Sequence, residues 1–175
     1  YDEAKRMGET LCYVYNKKYN IPVRIVRPFN NYGPGLSKLD KRLPADIANN
    51  VLKNKNIQIF SNGSPTRSFC YISDAVIGYL KVIAYKKFAI FNIGNDQEES
   101  SVKELTQTYI KVAKQLYNYD KKIIYSKNKE KDYLTNNPNR RSPNLAHARK
   151  EINYNPKIKL EEGVKRYLQF LKDNQ

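Results

Sequence analysis

A tyrosine and a lysine four residues apart, Tyr1 and Lys5, stand at the head of a segment that reads as a helix. That spacing brings both side chains to one helical face, where an ammonium can lower the proton affinity of a phenol. A phenol so placed can take a proton from a hydroxyl and return it later. The spacing alone decides little, because 15 tyrosines yield four such pairs, at Tyr1/Lys5, Tyr13/Lys17, Tyr117/Lys121 and Tyr125/Lys129. Only the first is followed, after its helix, by the stretch Pro22 to Gly35. There Arg27-Pro28-Phe29-Asn30-Asn31-Tyr32-Gly33-Pro34 gathers an aromatic ring, amides and turn-forming residues in one loop.

The elements that must position these residues follow from periodicity. Residues 1 to 18 predict a helix, with Met7, Leu11, Val14 and Tyr15 as its apolar stripe. Val23 to Val26 predict a short strand and Pro28 through Asp40 a loop. Leu43 to Lys53 read as a helix, and Ile57 to Phe60 as a strand ended by the Asn62-Gly63 turn before a second strand at Arg67 to Ile72. A helix capped by Ser73 or Asp74 spans Ala75 to Tyr85, and a buried strand Ala89 to Ile93 ends at Gly94. Ser101 to Glu104 form a capping box that opens a helix to Tyr117. A strand at Lys122 to Tyr125, a polar loop or lid from Ser126 to Pro143, and closing helices from Asn144 and Leu160 complete the chain. Alternating helices and strands of this length predict an α/β architecture.

Composition bounds the function. At 175 residues, 40% hydrophobic, the chain is long enough for one domain with a core. It lacks an apolar run of about 20 residues and opens on no signal peptide, so it is expected to be soluble and cytoplasmic. It opens inside a helix with no capping residue ahead, and is expected to belong to a longer polypeptide. Cys12 and Cys70 have no metal-ligand spacing and are assigned to the core. A net charge of +15 attracts polyanions. Its lysines are scattered and no nucleic-acid motif accompanies them, so a solvated basic surface is the preferred reading over a nucleic-acid site.

Six pieces in collinear order resemble the C-terminal half of an extended short-chain dehydrogenase/reductase acting on nucleotide sugars, the NAD-dependent epimerase/dehydratases. They are Tyr1 to Lys5, Arg27 to Pro34, Gly63 to Asp74, Phe91 to Asn95, Asn139 to Pro143 and Leu160 to Gly163. The wording is most similar to UDP-glucuronate decarboxylases (UDP-xylose synthases), with 4,6-dehydratases and 4-epimerases close behind. Two departures stand out: Gly33-Pro34-Gly35 where that family has Gly-Pro-Arg, and Pro143-Asn144 where it has Pro-Asp.

The resemblance implies that residues 1–175 are the last Rossmann elements plus a small α/β substrate-binding domain, the N-terminal NAD-binding half being absent. It implies NAD as cofactor, a nucleotide-sugar substrate, no metal, and a homodimer through the 1–18 helix. Tyr1 resembles the catalytic tyrosine, and Lys5 the lysine that binds the nicotinamide ribose. Phe29 lies where the loop passes the nicotinamide. Asn30 resembles the residue that bonds the nucleotide-sugar phosphate. Arg42, Arg67 and Arg141 match arginines around the diphosphate, a task that planar guanidinium forks suit. His147, the single histidine, is read as a surface or packing residue. The reading from another class is a non-catalytic remnant that uses its basic surface to bind anions.

Overall fold

The computed structural model of the protein describes residues 1–37, 39–126 and 138–174. Six helices and nine strands alternate among them: α1 (Asp2–Tyr19), β1 (Ile25–Pro28), β2 (Asn31–Tyr32), α2 (Leu43–Leu52), β3 (Ile57–Ile59), β4 (Thr66–Ser68), β5 (Cys70–Tyr71), α3 (Ile72–Ala84), β6 (Ile90–Ile93), β7 (Glu99–Ser101), α4 (Val102–Tyr117), β8 (Ile123–Tyr125), β9 (Arg140–Arg141), α5 (Ala146–Ile152) and α6 (Leu160–Asp173). The expected α/β class holds. β1 pairs in parallel with β6, β2 with β5, and β3 with β8. β4 lies between antiparallel β7 and parallel β9.

Burial divides into two cores. The larger is built by Ile47 and Val51 of α2, Leu105, Tyr109 and Val112 of α4, and Val164 and Leu168 of α6, packed over Ile57. The smaller sets Phe91 and Ile93 of β6 against Val82, Leu145, Ala148 and Tyr154. α4 begins where its capping box predicts: Glu104 N donates to Ser101 Oγ at 3.1 Å, and Ser101 N to Glu104 Oε2 at 2.7 Å.

Several expectations change. The strand predicted over 67–72 is two strands that serve different partners, and α3 starts directly from β5 at Ile72. Asp74 is therefore the third residue of its helix and does not cap it. Its buried Oδ2 instead accepts Lys157 N at 2.9 Å and Ile158 N at 2.8 Å. Asn95 and Gln97 donate to the carbonyls of Ile158 and Pro156, and Glu98 accepts Leu160 N, so polar side chains clasp the segment between α5 and α6. β9 falls inside the expected loop or lid, whose residues 127–137 lie outside the described ones. The strands on either side of the Asn62-Gly63 turn do not pair with each other, although Gly63 has the expected positive φ of 77°.

α1 departs most. It buries no residue, and Met7, Leu11, Val14 and Tyr15 are 42–60% exposed. Its half-buried positions are Glu9, Cys12 and Asn16. Cys70 is a core residue as assigned, but Cys12 belongs to neither core, because the side of α1 turned to the body is the polar one.

Candidate active site

The strand β1 leads without interruption into the loop of interest. Phe29 N donates to Ile93 O at 2.9 Å, which continues the β1–β6 ladder by one residue. The chain then turns sharply at Asn30, whose φ of 42° is a left-handed conformation that asparagine tolerates. Two bonds fix the turn: Asn30 Nδ2 donates to Ser68 O at 2.8 Å, and Cys70 N donates to Asn30 O at 3.2 Å. Asn30 Nδ2 thereby keeps a second hydrogen.

Gly94 makes this turn possible. A Cβ there would stand 2.8 Å from Phe29 Cβ and 3.0 Å from Pro143 Cγ, so only glycine lets the three segments meet. At the next turn Gly33, with φ 129°, passes so close to Ile72 that a Cβ would fall 2.8 Å from its Cγ2.

Ser68 connects Asn30 to the arginines. Its neighbour Arg67 on β4 stands opposite Arg141 on β9, and Ser68 Oγ lies 3.4 Å from Ser142 Oγ. Burial first, and then the facing Arg141, hold the Arg67 guanidinium below its ordinary pKa. Among the described residues no carboxylate pairs with either. The adjacent Arg140 takes the nearby acid, Glu99, at 2.8 Å, and Thr66 donates to the same carboxylate. Thr66 first and Arg140 second hold Glu99 below the usual carboxylate range. The result is two cations on paired strands, with Arg67 Nη1 donating to Thr66 O at 2.7 Å, next to the Ser68 carbonyl that holds Asn30, an arrangement that would gain from an anion with several oxygens.

The remaining candidates are spread out. Arg42, just ahead of α2, is tied to Asp40 at 2.5 Å and touches none of the other three. Tyr1 is 91% exposed at the head of α1, with Lys5 Nζ 5.4 Å from its ring centroid. Among the described residues neither the Tyr1 hydroxyl nor the Lys5 ammonium has a hydrogen-bond partner. His147 stacks on Phe91 with centroids 4.9 Å apart and is a packing residue.

One contact escaped the sequence. Arg27 grips Glu9 with both arms, Nε to Oε1 at 2.6 Å and Nη2 to Oε2 at 2.5 Å, joining α1 to β1. Glu9 falls four residues after Lys5, the only signal that could have pointed to it.

Residues 1–94 match the NAD dependent epimerase/dehydratase family. The chain is 35% identical over 164 residues to UDP-glucuronic acid decarboxylase 6 of Arabidopsis thaliana, covering 94% of this chain and 45% of that protein. It is 30% identical over 172 residues to UDP-glucuronic acid decarboxylase 1 of Xenopus tropicalis, covering 98% and 38%. The chain thus spans about half the length, or less, of the curated relatives it matches. Among solved structures it is similar to UDP-glucuronic acid 4-epimerase from Bacillus cereus in complex with UDP-glucuronic acid and NAD, with a TM-score of 0.79, 25% identity, and coverage of 96% and 51%. UDP-glucose 4-epimerase from Thermotoga maritima with UDP-glucose has a TM-score of 0.85 at 23% identity, covering 99% and 53%. At that identity it speaks for the fold alone.

Proposed function

The chain belongs to the NAD dependent epimerase/dehydratase family, and from that premise we propose that it supplies the substrate-binding part of an NAD-dependent nucleotide-sugar enzyme, which converts UDP-glucuronate through a 4-keto intermediate to UDP-xylose and carbon dioxide. The observation that carries this reading is the pair Arg67 and Arg141, which no carboxylate among the described residues pairs with, on the strand whose Ser68 carbonyl holds the Asn30 amide. A diphosphate supplies the negative oxygens that this arrangement lacks. Arg42, held by Asp40, is at most an outer contact for it.

The residues at the head of α1 fit a nicotinamide nucleotide. An exposed phenol and an ammonium without a carboxylate partner among the described residues offer hydrogen bonds to ribose hydroxyls, and Phe29 offers an apolar ring. NAD, when bound, would supply the acceptor for the hydride of sugar C4 and its source for the closing reduction. Tyr1, with the cationic Lys5 beside it, takes the proton of the C4 hydroxyl as the C4–H bond breaks. The ketone so formed makes the C5 carboxylate a β-keto acid. Its C5–C6 bond then breaks, the electron pair enters the C4 carbonyl as an enolate, and carbon dioxide leaves. Water protonates C5, and Tyr1 gives its proton back to the C4 oxygen on reduction. A 4,6-dehydratase or 4-epimerase would share the opening oxidation. The identity to decarboxylases over nearly the whole chain favours decarboxylation.

The open side of β1 supports a division in which the residues 1–175 complete a larger Rossmann sheet. Amides at 25 and 29 point to β6, which leaves Val26 N–H toward the other edge, while Pro28 has none. A parallel pair of two strands is not a stable sheet by itself. A cavity of about 600 Å³ runs along it, lined by Val26, Pro28, Tyr79, Val82 and Ile83. The exposed α1 stripe belongs, in this reading, to a two-fold contact with a second copy.

The test is the complete protein incubated with UDP-glucuronate and NAD and followed by proton NMR. UDP-xylose with release of carbon dioxide is expected. Accumulation of UDP-galacturonate instead would make it an epimerase, and no turnover of any nucleotide sugar would favour the non-catalytic anion-binding remnant.

A further inference from the structure

The helix that carries Tyr1 and Lys5 is held to the body almost without hydrophobic packing. At about 100° per residue, Lys5, Glu9, Cys12 and Asn16 lie within an arc of roughly 60°, whereas the stripe of Met7, Leu11, Val14 and Tyr15 is centred roughly 140° away. The side facing the body is therefore the one that presents Lys5, and its half-buried members are Glu9, Cys12 and Asn16. Among the described residues three interactions anchor it: the Arg27–Glu9 fork, Asn16 Nδ2 donating to Ile21 O at 2.7 Å, and Tyr13 edge-on to Phe88 at 5.6 Å. The last two lie toward the C-terminal half of α1, on the far side of Glu9 from Tyr1. The fork is thus the anchor nearest the proposed acid–base group.

Resting on the functional reading above, we propose that Arg27 is a positioning residue whose fork on Glu9 fixes Tyr1 and Lys5 relative to Phe29 and Asn30. Arg27 stands two residues before Phe29 and three before Asn30 on the same strand and loop. One side chain therefore ties the proton-transfer helix to the substrate loop. Eight residues separate Glu9 from Tyr1, about 12 Å of helix. A tilt of roughly 10° about Glu9 would carry Tyr1 by about 2 Å, while a 1 Å error in a reacting group can cost about a hundredfold in rate. The fork's contribution to folding is small by comparison, because the two side chains are 51% and 24% exposed and surface ion pairs contribute little. Geometry and stability separate for that reason. Lysine would keep the charge of Arg27 but lose the two-armed grip that sets the angle.

The experiment compares Arg27→Ala, Arg27→Lys, Glu9→Arg and Arg27→Glu singly and together, and Tyr1→Phe in the complete protein. Arg27→Ala is expected to lower kcat about 10- to 100-fold, with KM for the nucleotide sugar within about threefold because Asn30, Arg67 and Arg141 are untouched. Amide hydrogen exchange should quicken over residues 2–8. Arg27→Lys should recover only part of the rate, and the exchanged pair should exceed the poorer single variant by at least about tenfold. If Arg27→Ala keeps kcat within twofold while Tyr1→Phe is inactive, the positioning role is wrong and the functional reading stands. A rise in KM at constant kcat, or an exchanged pair no better than its singles, also overturns it. Should Tyr1→Phe retain full turnover, the functional reading fails and this inference falls with it.

Discussion

Replacing Arg141 with methionine should stabilise the protein while weakening its grip on substrate. Arg141 faces Arg67 across parallel strands, so their backbones run about 4.8 Å apart. A guanidinium separation of about 7 Å is within the reach of such cross-strand neighbours. At an effective dielectric constant of about 20, two like charges at that distance repel by roughly 2.4 kcal/mol. Arg141 is solvent-exposed, which discounts the figure to about 0.5–1 kcal/mol. Methionine removes the charge and keeps much of the stem. For a protein of this size the gain corresponds to a rise in Tm of about 1–4 °C. It should shrink in about 1 M salt, where the screening length falls to about 3 Å. The same substitution deletes a charge-assisted bond to phosphate, worth about 1.5–3 kcal/mol, so KM for the nucleotide sugar should rise roughly 10- to 100-fold. Thermal melting in low and high salt, with and without UDP, together with steady-state kinetics, reads both effects. A variant that melts lower at every salt concentration, or binds substrate as well as the parent, would show that Arg141 is a structural residue and that no anion site exists between β4 and β9.

Tyr1→Phe should abolish the appearance of reduced nicotinamide by about a hundredfold to ten-thousandfold, with nucleotide-sugar binding by calorimetry nearly intact, because only the ionisable oxygen is removed. Gly94→Ala drives a methyl to within 2.8 Å of Phe29 Cβ, so it should cost about 1–3 kcal/mol in denaturant unfolding and weaken substrate binding as the Asn30 turn shifts. Leu11→Glu should leave the fold intact yet yield a monomer by light scattering where the parent is a dimer. A parent that is monomeric at micromolar concentration would remove the α1 stripe from any interface.

The parts of the fold legible in the sequence are those whose cause is local. The Ser101–Glu104 capping box gives the start of α4 because both of its bonds are made within four residues. The Gly63 turn is legible for the same reason, since the positive φ of that residue needs no distant partner. What the sequence hides is set by partners far along the chain. β9 is two arginines in a polar stretch and becomes a strand only because β4 lies beside it. Asp74 has the look of a helix cap, yet its carboxylate is taken by amides more than 80 residues away.

The candidate site divides along the same line. The residue types that can move a proton or hold a phosphate are local motifs, and the sequence names them. Which of them stand together is not local: the β4–β9 pairing sets Arg67 opposite Arg141 and the Ser68 carbonyl holds the Asn30 amide, while Arg42 is tied to Asp40. The face of α1 is the clearest case. Periodicity records only that some surface covers its apolar stripe, which need not belong to the same chain. Within this chain the covered side is the polar one, and the anchor on it nearest Tyr1 is the Arg27 guanidinium on Glu9. A polar anchor on an exposed helix contributes little to folding and much to angle. The orientation of Tyr1 should therefore be more sensitive to Arg27 than stability is.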